Sequence, residues 1–269
     1  MRAIAVTSGK GGVGKTNLSA NLAIGLASRG KRVTVFDADI GLANLDVVLG
    51  VPAKGTLQQV ISGEKKLDEV LADGPGGIKF LGGGSGIETM INLNGRAGEA
   101  FLDEVKKLES STDILVFDTG AGIDANVMTF LSAADEVLVI VTPDPASLTD
   151  GYATIKAILG GNKQAPIRVV MNMVDDEAQG KAVFARLTSI AQQFLGVSLV
   201  YAGYVRSDPK AGAYVRQRKP WMLDRSLPAT HDVNRIAGWL LGDKPTESET
   251  PTEVISFADR LRGLFSRAA

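Results

Sequence analysis

Cysteine is absent from the 269 residues, and with it go disulfides, iron–sulfur clusters and thiolate zinc sites. Histidine occurs once, as His231, with no partner motif around it, so a surface or capping position is expected rather than a metal ligand. Charge of one sign is also missing. The formal net charge of -1 gives no overall pull toward nucleic acid or anionic lipid, so any such binding must come from a local patch. No run approaches the roughly 20 apolar residues of a spanning helix, and the first residues carry no apolar leader segment. The expected location is therefore the cytoplasm.

What is present alternates regularly. Ala3–Thr7, Arg32–Phe36, Ile114–Phe117, Val137–Val141 and Ile167–Met171 are apolar or β-branched runs of strand length, with Ile78–Leu81 a weaker one. Helix-length stretches lie between them: Thr16–Ser28, Glu99–Leu108, Asp124–Ala133, Leu148–Leu159 and Glu177–Phe194. Strands apolar on both faces and separated by helices predict a doubly wound α/β fold, its mostly parallel sheet covered by helices on both sides. In such sheets ligands sit beyond the carboxyl ends of the strands. The expected division is a doubly wound domain over 1–241, a polar linker over 242–252 and an amphipathic helix over 253–269.

Gly9-Lys10-Gly11-Gly12-Val13-Gly14-Lys15-Thr16 fits G-x-x-x-x-G-K-[ST] between a strand and a helix. Glycines let backbone N–H groups turn inward around a polyphosphate, and the helix start adds partial positive charge. The pattern predicts ATP and Mg²⁺ as ligands, with Lys15 on the β/γ-phosphates and the Thr16 hydroxyl on the metal. Asn17 continues the loop into the first helical turn. Asp37 and Asp39, at the end of a buried strand, suit a magnesium shell and a water-orienting group; either can instead cap the helix that follows. Asp118 ends the apolar strand Ile114–Phe117, the Walker B pattern that sets a carboxylate on magnesium-bound water. Gly120 and Gly122 allow the next loop to move when the γ-phosphate leaves.

The second lysine of GKGGVGKT makes the loop resemble the deviant Walker A of the MinD/ParA family. By that resemblance Lys10 crosses a dimer interface to the partner's nucleotide, which implies an ATP-dependent homodimer. DADIGLANLD (37–46) and DTGAG (118–122) resemble the two switch segments of the family. The match implies that Asp39 positions the attacking water and acts with Lys10 and Lys15 in catalysis. It also implies that Asp37 and Asp118 support Mg²⁺ beside Thr16, and that Asn44 lies near the dimer interface. An asparagine such as Asn172 often reads adenine in relatives, and Tyr204–Asp208, with Arg206 and Asp208, resembles the loop that packs on the base. Both segments are equally compatible with ordinary strand-end turns.

DTGAGI at 118–123, DADIGLANLDVVLG at 37–50 and PDPASLTDGYATIK at 143–156 together resemble the FlhG branch, MinD-like ATPases that set flagellar number and position. This implies an FlhF-like GTPase, a flagellar switch or C-ring protein, or a flagellar transcription regulator as partners. Members commonly carry a segment ahead of the first strand that stimulates the GTPase. This chain starts almost at the strand, so stimulation in that manner is not expected. No arginine finger is evident, so slow turnover awaiting an activator is expected.

On a helical wheel, Val254, Phe257, Ala258, Leu261, Leu264, Phe265 and Ala268 share one face, with arginines at its edges. This fits a helix lying in the plane of a membrane, with Phe257, Leu261, Leu264 and Phe265 in anionic lipid. It fits as well a helix docked on its own domain. The polar linker and the family resemblance favour the membrane, placing the protein on the cytoplasmic face of the inner membrane. Arg206, Lys210, Arg216, Arg218 and Lys219 form a basic cluster. DNA binding of the ParA kind is its functional reading and a solvated face the commoner one. A metabolic P-loop enzyme and a non-hydrolysing scaffold are further classes. The missing cysteine argues against a cluster carrier, and Asp39 with Asp118 argues for turnover.

Overall fold

A computed structural model describes residues 1–39, 41, 43–84, 86, 89, 95–160, 166–243 and 256–265; the side chains of 95, 96, 264 and 265 lie outside that description. Among the described residues an eight-stranded sheet runs in the order β3-β4-β2-β5-β1-β6-β7-β8. The strands are β1 (Arg2–Ser8), β2 (Val33–Ala38), β3 (Ala72–Asp73), β4 (Lys79–Leu81), β5 (Ile114–Ala121), β6 (Glu136–Val141), β7 (Ile167–Val174) and β8 (Val200–Arg206). All neighbours pair in parallel except β3 with β4.

Side chains alternate across each strand, and the two faces build two cores. Ala3 and Ala5 of β1, with Phe36 and Phe117, belong to one; Ile4 and Val6, with Val35 and Val116, belong to the other. The second core is covered by α1 (Lys15–Ala27) and the late helix α10 (Pro228–Leu240), which pack together. Ten residues of α1, from Lys15 to Leu26, are buried, so this helix is embedded nearly all round. Short helices α2 (Leu45–Leu49), α3 (Leu57–Ile61) and α4 (Leu67–Val70) lead to α5 (Gly95–Ser111). Then α6 (Ala125–Ala133), α7 (Pro145–Gly160), α8 (Glu177–Leu195) and α9 (Pro209–Arg216) alternate with the later strands. The doubly wound reading holds.

Besides β3 and the short helices α2, α3, α4 and α9, strand β8 and helix α10 were not announced by the sequence pattern. In β8, Gly203 sits at φ +135° and the register with β7 shifts there, so a bulge interrupts the pattern. Helix α10 starts at Pro228 with no side-chain N-cap. Its hold is the Thr230 hydroxyl, which donates to the carbonyls of Trp221 (3.0 Å) and Asp224 (2.8 Å).

The last described helix, α11 (Phe257–Phe265), is docked on its own domain, the alternative that its apolar stripe left beside a membrane-facing one. Phe257, Ala258 and Leu261 are 4%, 1% and 2% exposed and belong to the first core. The Phe257 ring lies 5.4 Å from that of Phe117. Arg260, expected at lipid head groups, pairs with Asp135 at 2.6 Å and donates to the Ala133 carbonyl. Arg262 pairs with Glu99. The physical reason is the open aromatic face of the sheet. Phe36, Phe117 and Phe130 stand within 5.3–5.7 Å of one another, and covering them removes apolar surface from water. Its described part starts at Phe257, after Ser256, whose Oγ accepts from the Asp259 N–H at 3.0 Å. Most of the linker, Glu253, Val254, Ala268 and the side chains of Leu264 and Phe265 lie outside the described residues.

Candidate nucleotide site

The loop between β1 and α1 is held from both sides. Gly12 and Gly14 have φ +80° and +83°, the left-handed region that favours glycine. A Cβ on Gly14 would sit 2.7 Å from Asn172 Nδ2, and one on Gly9 would sit 2.2 Å from the Asp150 carbonyl oxygen. A Cβ on Gly11 or Gly12 would meet nothing within 4 Å, so the loop's tip is open. Asn172 Nδ2 donates to the Val13 carbonyl at 2.7 Å. No side chain caps α1, so the N–H groups of its first turn, at Lys15, Thr16 and Asn17, remain available to an anion. Thr16 and Asn17 are half-buried there.

Strand register assembles the acidic groups. Asp37 on β2 and Asp118 on β5 are direct neighbours, although 81 positions separate them. Lys15 Nζ contacts Asp118 Oδ1 at 3.1 Å, with both side chains buried. The Ser19 hydroxyl donates to the same oxygen at 2.9 Å. The other oxygen, Asp118 Oδ2, is buried with no hydrogen-bond partner. A buried carboxylate oxygen left unpaired is costly, and a divalent cation is a ligand that satisfies it. The donor set of Thr16 and Asp118 therefore fits Mg²⁺.

Asp37 is placed differently from its expected support of the metal. Its Oδ2 accepts the N–H groups of Asn44 and Leu45, both at 3.0 Å, and its Oδ1 accepts that of Asp39 at 3.2 Å. It caps α2 from a neighbouring strand, so the capping alternative is what the structure displays. Burial, aided by the charge of Asp118, pushes its carboxyl up to about 6 against the backbone donors of Leu45 and Asp39. Asp39 Oδ1 accepts the Gly41 N–H at 3.1 Å and lies 3.7 Å from where a Cβ on Gly120 would stand. The two switch segments therefore meet at Asp39.

Lys10 is engaged with a residue outside the phosphate loop. Its ammonium pairs with Asp144 Oδ2 at 2.5 Å, and both side chains are exposed. Asp144 also accepts the Ala146 N–H, helping to start α7. Neither Asp144 nor Ser19 was foreseen. Ser19 had a signal, since four residues after Lys15 it shares that face of α1.

On the side expected for the base, Arg206 is committed to Asp232, at 2.7 and 2.9 Å, and stacks toward Tyr204. Asp208 caps α9 with Oδ1, while its Oδ2 is buried without a hydrogen-bond partner. Met173 stands beside Gly14, 46% exposed and at φ +56°. A non-glycine residue held there is strained. His231 is exposed.

Comparison with known proteins gives consistent answers. The sequence model of the CobQ/CobB/MinD/ParA nucleotide binding domain matches residues 4–215. The antiactivator FleN of Pseudomonas aeruginosa is 42% identical over 219 residues, 81% of this chain and 78% of that protein. The flagellum site-determining protein YlxH of Helicobacter pylori is 40% identical over 265 residues, 96% of this chain and 88% of that one. Among solved structures, the MinC:MinD cell division protein complex of Aquifex aeolicus superposes with a TM-score of 0.76 at 25% identity, covering 93% of this chain and all of that one.

Proposed function

The chain belongs to the CobQ/CobB/MinD/ParA nucleotide-binding family, and from that membership we propose that it is an Mg·ATP-dependent ATPase that regulates flagellar number or placement. The observation that carries the chemistry is the meeting of an uncapped α1 start, Lys15, the orphaned Asp118 oxygen and Asp39 around one loop. The flagellar role rests on the FleN and YlxH likeness, which extends over most of the chain.

The loop N–H groups and Lys15 bind the phosphates; Lys15 exchanges Asp118 for phosphate oxygens. Thr16 and Asp118 would hold Mg²⁺, and the ion would supply neutralisation of the phosphate charge. Asp39 accepts a hydrogen bond from the attacking water and orients it. Asp37 acts through the backbone it caps, setting the position of the segment that carries Asp39. Asn172 braces Val13. The free oxygen of Asp208 receives the exocyclic amine of adenine. Lys10 leaves Asp144 to reach the nucleotide of a second copy, so that ATP joins two chains, because the polyphosphate then draws cations from both.

Membrane attachment follows the same switch. Helix α11 lies against α5 and α6, and α6 follows the loop after Asp118. Movement of that loop on ATP binding loosens α11 and frees its apolar face, with Phe257 and Leu261, for anionic lipid on the cytoplasmic face of the membrane. Two such helices on a dimer bind far better than one. An FlhF-like GTPase, a flagellar switch protein or a flagellar transcription regulator then meets the dimer there.

The test is co-sedimentation of the full chain with phosphatidylglycerol vesicles, with parallel light scattering for mass. Pelleting and dimer mass with Mg·ATP, and neither with Mg·ADP, is the expected result. Dimerisation without pelleting removes the membrane step and leaves the ATPase. A second reading, DNA-borne positioning, is favoured by the exposed Lys210, Arg216, Arg218 and Lys219; steeply salt-dependent duplex binding with ATP would select it.

A further inference from the structure

Beneath α11 the first core is not filled. A cavity of about 40 Å³ lies between the sheet and α11, walled by Phe36, Phe101, Val105, Phe117 and Phe130 and roofed by Phe257 and Leu261. Native interiors hold few voids larger than a water. The one hydroxyl in its wall, on Thr34, is already bonded to Thr112 at 2.9 Å. Water needs two or more polar partners in such a place, so the cavity is dry and suited to carbon.

This cavity adjoins an opening. Leu67, Leu71 and Leu108 line it and also line a cleft of about 320 Å³ between α4 and α5. The cleft's rim is polar: Lys66, Asp68, Glu104, Lys107 and Ser111. Lys107 is paired with Glu104, and Lys66 is exposed with no ion pair among the described residues. A mostly apolar hollow with a few polar groups at its mouth is the usual form of a small-ligand site. Here the polar groups are at one end only, which selects a ligand with a small head and a hydrocarbon tail.

We propose that the cleft and the cavity together form a binding site for a single alkyl chain of an amphiphile, its head at Lys66 and its tail passing the three leucines toward Phe117. A space of about 40 Å³ accepts only the last few carbons while α11 is docked. A longer chain must lift Phe257 and Leu261, so chain binding and docking of α11 oppose each other. A fatty acid in solution and the acyl chain of a membrane lipid share this chemistry.

The site is tested on the full chain with Mg·ADP, using the fluorescent fatty acid cis-parinaric acid below its micelle concentration. Saturable binding near one per chain is expected, with displacement by dodecanoate. Val105→Phe, which fills the cavity from α5, should weaken binding at least tenfold while leaving ATP turnover unchanged. Leu71→Phe serves the same end if the first variant fails to fold. Phe257→Ala enlarges the hollow and should tighten binding several-fold. Displacement by phosphatidylglycerol vesicles assigns the chain to membrane lipid, and displacement by dodecanoate alone assigns it to free acid. Absence of saturable binding, or equal binding by wild type and the filled variants, overturns the site and leaves the ATPase reading untouched.

Discussion

Asp39 and Asp37 stand two residues apart and carry different loads. Asp39 is half-buried at the meeting of the two switch segments, the position for a group that orients water. Asp39→Ala should bind Mg·ATP normally and lower kcat by at least ~100-fold, the usual scale for loss of such a group; a phosphate-release assay with a nucleotide-binding control measures both. Asp37 is buried, and its carboxyl is pushed up to about 6 from 3.8. The folded state therefore holds the proton more tightly than the unfolded state. The stabilisation linked to that proton is complete below pH 4 and is lost as pH rises through about 6. In nucleotide-free protein the urea midpoint should fall across this window by the equivalent of about 2–3 kcal/mol. Asp37→Asn should flatten that part of the profile; an unchanged slope would move the titration to another group.

At the scale of elements, the telling case is α11. Its apolar face was legible in the 3.6-residue period, but the same period serves a membrane surface and an aromatic sheet face alike. The structure places it on Phe117, the residue before Asp118. Phe257→Ser removes the ring and leaves a hydroxyl in an apolar wall, which costs several kcal/mol where a helix is fully docked. The helix should then release: vesicle binding is expected with Mg·ADP as well as Mg·ATP, and trypsin should cut after Arg260 and Arg262, which docking ties to Asp135 and Glu99, several times faster. Vesicle binding that still requires ATP would show that docking does not gate attachment. The other short elements were harder to read. Helix α2 has no side-chain cap of its own and borrows Asp37 from β2, one of two aspartates that the sequence offered for that task without choosing between them.

For the whole molecule, Lys10 is the residue proposed to act outside the single chain. It pairs with Asp144 at the surface, a contact worth little in water, so the lysine is easily recruited elsewhere. Lys10→Ala should keep the fold and its melting temperature within a few degrees. It should stay monomeric with Mg·ATP at concentrations where wild type doubles its mass, as read by light scattering. A dimeric Lys10→Ala protein would remove the cross-subunit role while leaving the phosphate loop intact.

The amino-acid sequence by itself determined the phosphate loop, the Walker B strand, the alternation that makes a doubly wound sheet and the family. These rest on local patterns: glycines at set spacing, apolar runs of strand length, a lysine one step into the loop. Only the tertiary structure decided which groups those patterns touch. Register brought Asp37 beside Asp118 and made the first a cap while leaving one oxygen of the second unpaired. Packing turned Arg206 to Asp232, set Asn172 under Val13 and laid α11 over the aromatic face. The reason is physical: a sequence period states that a side chain has a polar or apolar face to satisfy, and what satisfies it depends on chain segments brought from far away.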